Sequence, residues 1–178
     1  MQTMERVDVM RWLTLWDPSQ HIGRATLPML FCNGTNDKHF RPDSWQKTYR
    51  IKPGPRTLSF KVRMPHGHAP AGDPPEVAHF ADSVVRDGPP LPRIVAQGRK
   101  QRVAWTTYNS AMVVTKAELI YTEDHGDWVT RAWHRQPLII GTGAARVEAN
   151  IPPAATVYYI NVTDSRGGIV STEHEELD

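Results

Sequence analysis

The chain has 178 residues, 39% of them hydrophobic and 22% charged, with a net charge of +2. That composition is close to the soluble globular average and can bury a core. Its scattered Lys and Arg form no basic stripe for a nucleic acid, and no apolar run approaches the ~20 residues of a membrane helix.

From Met4 to Trp16, Val7, Met10 and Leu13 recur every three positions, flanked by Trp12 and Trp16. The spacing predicts an amphipathic helix ending before "DPSQ". "PMLFC" then reads as a short buried strand, with Cys32 inside it; one cysteine excludes an internal disulfide. "RPDSWQKTYRI" predicts a helix, with Pro42 in its first turn, Asp43 near its start and "KPGP" as its stop. "TLSFKVRM" alternates Leu58, Phe60, Val62 and Met64 against Ser59, Lys61 and Arg63, the pattern of a strand with one buried face. After the turn "PHGHAPAGD", Pro74 and Pro75 open a helix lined by Val77, Phe80, Ala81 and Val84 and ended by Gly88. Helix, strand, helix, strand, helix is an α/β order, here with two strands.

"PPLPR", residues 89–93, is read as a stiff linker between a region 1–88 and a region 94–178. Beyond it the period changes to two. "RVAWTTY", "KAELIYTE", "WVTRAWH", "ARVEANI" and "TVYYINVTD" are rich in β-branched and aromatic residues and separated by turn signals. They predict an antiparallel sandwich of immunoglobulin or fibronectin type. "STEHEELD" reads as a solvated acidic tail. Asn33-Gly-Thr35 and Asn161-Val-Thr163 match the glycosylation sequon, a short motif with frequent chance matches.

Two places carry chemistry. Asp37 follows the first buried strand, where it either caps a turn or delivers a carboxylate to a site. "MPHGHAP" follows the second, with His66 and His68 two apart across a glycine. If the strands are parallel neighbours, both places lie on the edge where open α/β sheets place ligands. A carboxylate beside a histidine fixes its tautomer and stabilises its charged form, as a general base requires.

"LPMLFCNGTNDKHFRPDSWQKTY" resembles the acid-strand segment of α/β-hydrolases, especially prolyl-oligopeptidase-like and acetyl-xylan-esterase-like members. "VRMPHGHAP…VAHFADSVV" resembles their last strand, histidine loop and final helix. The resemblance covers roughly the first half of the chain and implies a partial α/β-hydrolase sheet followed by an immunoglobulin/fibronectin-like β-sandwich. It places Asp37 at the acid position and His68 at the histidine position, with His66 as the fallback. The β-rich half is similar to a sandwich appended to some esterases of this kind and carries no catalytic residue in the resemblance. No Gly-x-Ser-x-Gly elbow occurs in the sequence. The chain therefore reads as a C-terminal fragment or degenerate relative of a serine esterase or peptidase, inactive alone.

Two alternatives stand beside this reading. One is a non-catalytic binding or assembly protein on the same scaffold. The other is a metal-dependent hydrolase using His66, His68 and Asp37, with His39 nearby, although no further ligand is evident. Cys32 is a weak nucleophile candidate because alternation turns it into the strand core. Trp105, Trp128, Trp133, Tyr108 and Tyr121 are read as core aromatics in preference to a carbohydrate platform. No cofactor is expected. A homo-oligomer through an exposed sheet edge is expected, with a small ester or carbohydrate as possible ligand and no nucleic acid or membrane. As written the chain reads as cytoplasmic, since "MQTMERVDVMRW" is no signal peptide; a fragment of a secreted protein would have lost its leader.

Overall fold

The computed structural model describes residues 5–67, 74–141 and 145–177. In chain order the elements are α1 (Arg6–Trp16), α2 (Ser19–Ile22), β1 (Leu30–Gly34), α3 (Pro42–Ile51), β2 (Thr57–Lys61) and α4 (Pro75–Val85). Strands β3 (Arg93–Lys100), β4 (Val103–Asn109), β5 (Val114–Thr122), β6 (His134–Pro137), β7 (Arg146–Asn150), β8 (Val157–Asp164), β9 (Ile169–Ser171) and β10 (Glu175–Glu176) follow. Helix and sheet are mixed. β1 and β2 form a parallel pair, while β3-β4-β7 and β10-β8-β5-β6, with β9 also on β8, form two antiparallel sheets.

The parallel pair runs in register from Leu30 opposite Thr57 to Gly34 opposite Lys61, so both strands end at one edge. Helix α3 covers it with Trp45 and Tyr49, one turn apart on a single face. Pro42 at the first turn and Asp43 beside it fit the helix start, and Arg50 fits its end. One-sided burial of β2 does not hold. Ser59 is as buried as Leu58 and Phe60, and Glu76 at the start of α4 is buried too. Its carboxylate accepts from Lys61 Nζ at 2.9 Å and from the Ile169 amide at 2.7 Å, tying α4 to β2 and β9. Helix α1 forms where the three-residue spacing puts it, but Val7, Met10, Trp12, Leu15 and Trp16 all stay exposed.

The period-two pattern of the second half resolves into two cores. From β5, Ala117 and Leu119 join Tyr158, Ile160 and Val162 of β8 and the inner residues of β4 and β7 between the antiparallel sheets. The alternate residues Ile120 and Tyr159 point the other way and pack with Trp45, Tyr49, Leu58 and Phe60 from the first half. Phe60 lies 4.7 Å from Tyr159 and 6.2 Å from Trp133 between ring centroids. Its amide donates to Ser171 Oγ at 2.8 Å, so the outer edge of β2 is met by side chains of the β-rich half. The prolines of "PPLPR" are held too: Arg166 donates to the carbonyls of Pro89 and Pro90 at 2.7 and 3.0 Å.

Several expectations are corrected. "WVTRAWH" is not a strand. Asp127 caps a 3-10 turn at Trp128–Thr130 by accepting from the Val129 amide, and pairing starts only at His134. The acidic tail is not solvated. Ser171, Thr172 and His174 are buried, Glu173 pairs with Arg50 and Arg56, and β10 pairs with β8. Both sequon asparagines, Asn33 and Asn161, are buried and hydrogen-bonded, so neither is open to modification. Cys32 is only partly buried, and burial followed by the nearby Glu76 charge pushes its thiol upward, against nucleophilic use. The aromatics are split between cores. Tyr108 and Tyr121 serve the inter-sheet core, Trp128 and Trp133 lie near Phe60 and His174, and Arg146 covers Trp105.

Candidate functional site

The chain turns sharply after β1. Gly34 is required there, since a Cβ on it would sit 2.1 Å from the Met64 carbonyl oxygen of the loop after β2. The Asp37 amide closes the turn onto the Gly34 carbonyl at 3.2 Å. Asp37 is 5% exposed, and its two oxygens do different work. Oδ1 accepts from the amides of His39 and Phe40 at 2.7 and 2.9 Å, which is the turn-capping role. Oδ2 faces Nδ1 of His66 at 2.8 Å. One carboxylate thus caps the turn and meets a histidine.

His66 reaches Asp37 from the loop beyond β2, and its ring lies 4.4 Å from that of His39 and 5.3 Å from that of Phe40. Burial pushes the Asp37 carboxyl up. The Phe40 amide, the His66 imidazole and the His39 amide outweigh it and hold the group below its ordinary range. An ionised Asp37 can only accept, so the neutral imidazole keeps its proton on Nδ1 and carries its lone pair on Nε2. That arrangement can take a proton from a hydroxyl at Nε2 and stabilise the resulting cation through Asp37.

Among the described residues the histidine meeting Asp37 is His66, the fallback named from the sequence. His68 lies outside the described residues. Among the described residues no group of three or more His, Cys, Asp or Glu is placed to hold a metal. No helix is long and apolar enough to cross a membrane, again among the described residues.

Two residues of the site escaped the sequence reading. Asn36, next to the acid, donates from Nδ2 to the carbonyls of Trp128, Val129 and Arg131 at 3.1, 3.0 and 2.8 Å. Thr35, fully buried, accepts the Arg63 amide at 3.0 Å and donates to Asn36 Oδ1 at 2.7 Å. The run "NGTND" signalled a turn, but its partners lie too far along the chain for spacing to show. No curated protein matches the chain. The family model described as PhoPQ-activated pathogenicity-related protein matches residues 1–122, from before α1 to the end of β5, and so takes in both Asp37 and His66. The chain belongs to that family.

Proposed function

We propose that this chain carries the acid and the histidine of a serine-type α/β-hydrolase, Asp37 and His66, on a partial hydrolase sheet followed by an immunoglobulin/fibronectin-like sandwich. The observation that carries the reading is the 2.8 Å contact between Asp37 Oδ2 and His66 Nδ1 beside the ends of two parallel strands. In this reading His66 Nε2 is the general base for a hydroxyl nucleophile and returns the proton to the leaving group, while Asp37 holds the tautomer. The sequence contains no Gly-x-Ser-x-Gly, so the nucleophile comes from outside these residues and the chain turns over no ester by itself. A small carboxylic ester is the substrate class that fits this chemistry.

The test is covalent labelling with a fluorophosphonate. The chain alone is expected to stay unlabelled. Joined to the in-frame segment encoded upstream, it is expected to label at a serine framed by glycines, with turnover falling about 10⁶-fold in His66→Gln. An upstream frame without such a serine, or labelling indifferent to His66, sinks the proposal.

An assembly role is supported by a separate observation. Among the described residues no strand pairs with the far edge of β1, and Leu30, Phe31, Val77 and Phe80 line a groove beside it. We propose self-association through that edge for the chain alone. Light scattering at rising concentration should then give a mass above 20.1 kDa, and a constant monomer mass counts against it.

A further inference from the structure

We infer that the β-rich half sets the geometry of the Asp37–His66 pair, with Asn36 as the positioning residue that transmits it. The inference rests on the proposed reading of that pair as the acid and histidine of a hydrolase. The observations form a chain of bonds across the molecule. Asn36 Nδ2 has two hydrogens and three carbonyl oxygens within 3.1 Å, those of Trp128, Val129 and Arg131, so the amide is held in one orientation. That orientation turns Oδ1 toward the Thr35 hydroxyl at 2.7 Å, and the Thr35 oxygen in turn accepts the Arg63 amide at 3.0 Å. Arg63 has a φ of 55°, a left-handed conformation that a non-glycine residue keeps only when held. It starts the loop that delivers His66. Two side chains, Asn36 and Thr35, therefore connect the 128–131 turn, the end of the acid strand and the histidine loop.

The turn that Asn36 grips is itself firmly built. Asp127 accepts from the Val129 amide at 3.1 Å through its side chain and from the Thr130 amide at 3.3 Å through its carbonyl. Asp124 Oδ2 accepts the Ala132 amide at 2.6 Å. Arg131 lies 3.9 Å above the Trp128 ring and donates to the Gly126 carbonyl at 2.9 Å. Arg41 pairs with Asp127 at 3.5 Å, so the Asp37 loop is tied to this turn on both sides of the acid. The Arg41 pair is half exposed and contributes little, which leaves Asn36 as the main link. Aspartate at position 36 has the same shape but no donor, and would set a carboxylate against three carbonyl oxygens.

The experiment reads the His66 ring nitrogens by 15N NMR at neutral pH in the full chain, with amide spectra confirming that each variant is folded. Wild type is expected to hold the proton on Nδ1. Asn36→Ala is expected to lower the Nδ1–H to Nε2–H ratio about tenfold or more, the worth of one hydrogen bond to a charged group. Asp127→Ala touches neither Asp37 nor His66 and should lower the ratio in the same direction by loosening the turn. Asp127→Asn keeps a capping oxygen and should restore it. Should Asn36→Ala not fold, the two Asp127 variants decide the matter alone. A folded Asn36→Ala or Asp127→Ala chain with the wild-type ratio overturns the positioning role and leaves the pair intact. A wild-type ring with its proton on Nε2 overturns the pair itself.

Discussion

Asp37 shows how far a single residue can be read before its surroundings are known. Its place just past an apolar run marked it as either cap or acid, and both roles rest on local chain geometry that spacing reveals. The choice between His66 and His68 was not legible. Alternation stops at Met64, and the loop beyond is shaped by Gly34, whose bare Cα lets the Met64 carbonyl approach. Gly34→Ala forces a Cβ against that carbonyl at 2.1 Å, so one of the two loops must move. The expected cost is about 1–3 kcal/mol in urea unfolding, with loss of the Nδ1–H signal of His66 in whatever remains folded. Unchanged stability and an unchanged ring signal contradict the packing described. Asn36 was invisible for a different reason, since its three acceptors lie in another part of the chain.

Among the elements, α3 was the most legible, because its period and its proline punctuation agree with the buried Trp45 and Tyr49 face. β2 and α4 lie where the sequence places them, but β2 is buried on both faces, and on α4 Glu76 is buried while Ala81 and Val84 stay exposed. The segment after β9 was misread because its charges suggested solvent. Glu173 finds Arg50 and Arg56, Thr172 Oγ1 accepts the Ile160 amide at 2.9 Å, and Gln46 Nε2 donates to the His174 carbonyl at 2.8 Å. His174 sits 5.6 Å from both Phe60 and Trp128, and neither ring nitrogen has a hydrogen-bond partner among the described residues. Burial, helped by Arg50 and Arg131 and opposed by Glu173 and Asp43, lowers its pKa to about 4 from an ordinary 6.5. The unfolded chain therefore takes a proton on His174 before the folded chain does. This contribution to stability is complete above pH 6.5 and is lost as pH falls toward 4. Across that window it amounts to on the order of 3 kcal/mol. His174→Phe fills the aromatic site without titrating, so its stability relative to wild type should rise by that order between pH 6.5 and 4. A constant difference across the window contradicts the burial of a neutral ring.

At the scale of the whole molecule the main surprise is that the two periodicities do not mark two separate cores. β5 and β8 alternate between the inter-sheet core and a second core built with α3 and β2, so these two strands are buried on both faces. Spacing along the strands cannot show this, because the partners of Ile120 and Tyr159 lie in α3 and β2, far along the chain. Phe60 lies at the junction. Phe60→Ala should cost about 3–5 kcal/mol, and tryptophans on both sides of "PPLPR" should unfold in one transition. Two separate transitions would contradict the shared core. The same junction brings the 128–131 turn against Asn36 and sets the frame in which Asp37 meets His66. The central claim is that this meeting is a working acid–histidine pair, and ring-nitrogen 15N NMR of His66 in wild type and Asp37→Ala tests it most directly. The account predicts a proton on Nδ1 in wild type and its transfer to Nε2 when the carboxylate is removed; a His66 tautomer that does not respond to Asp37→Ala contradicts it.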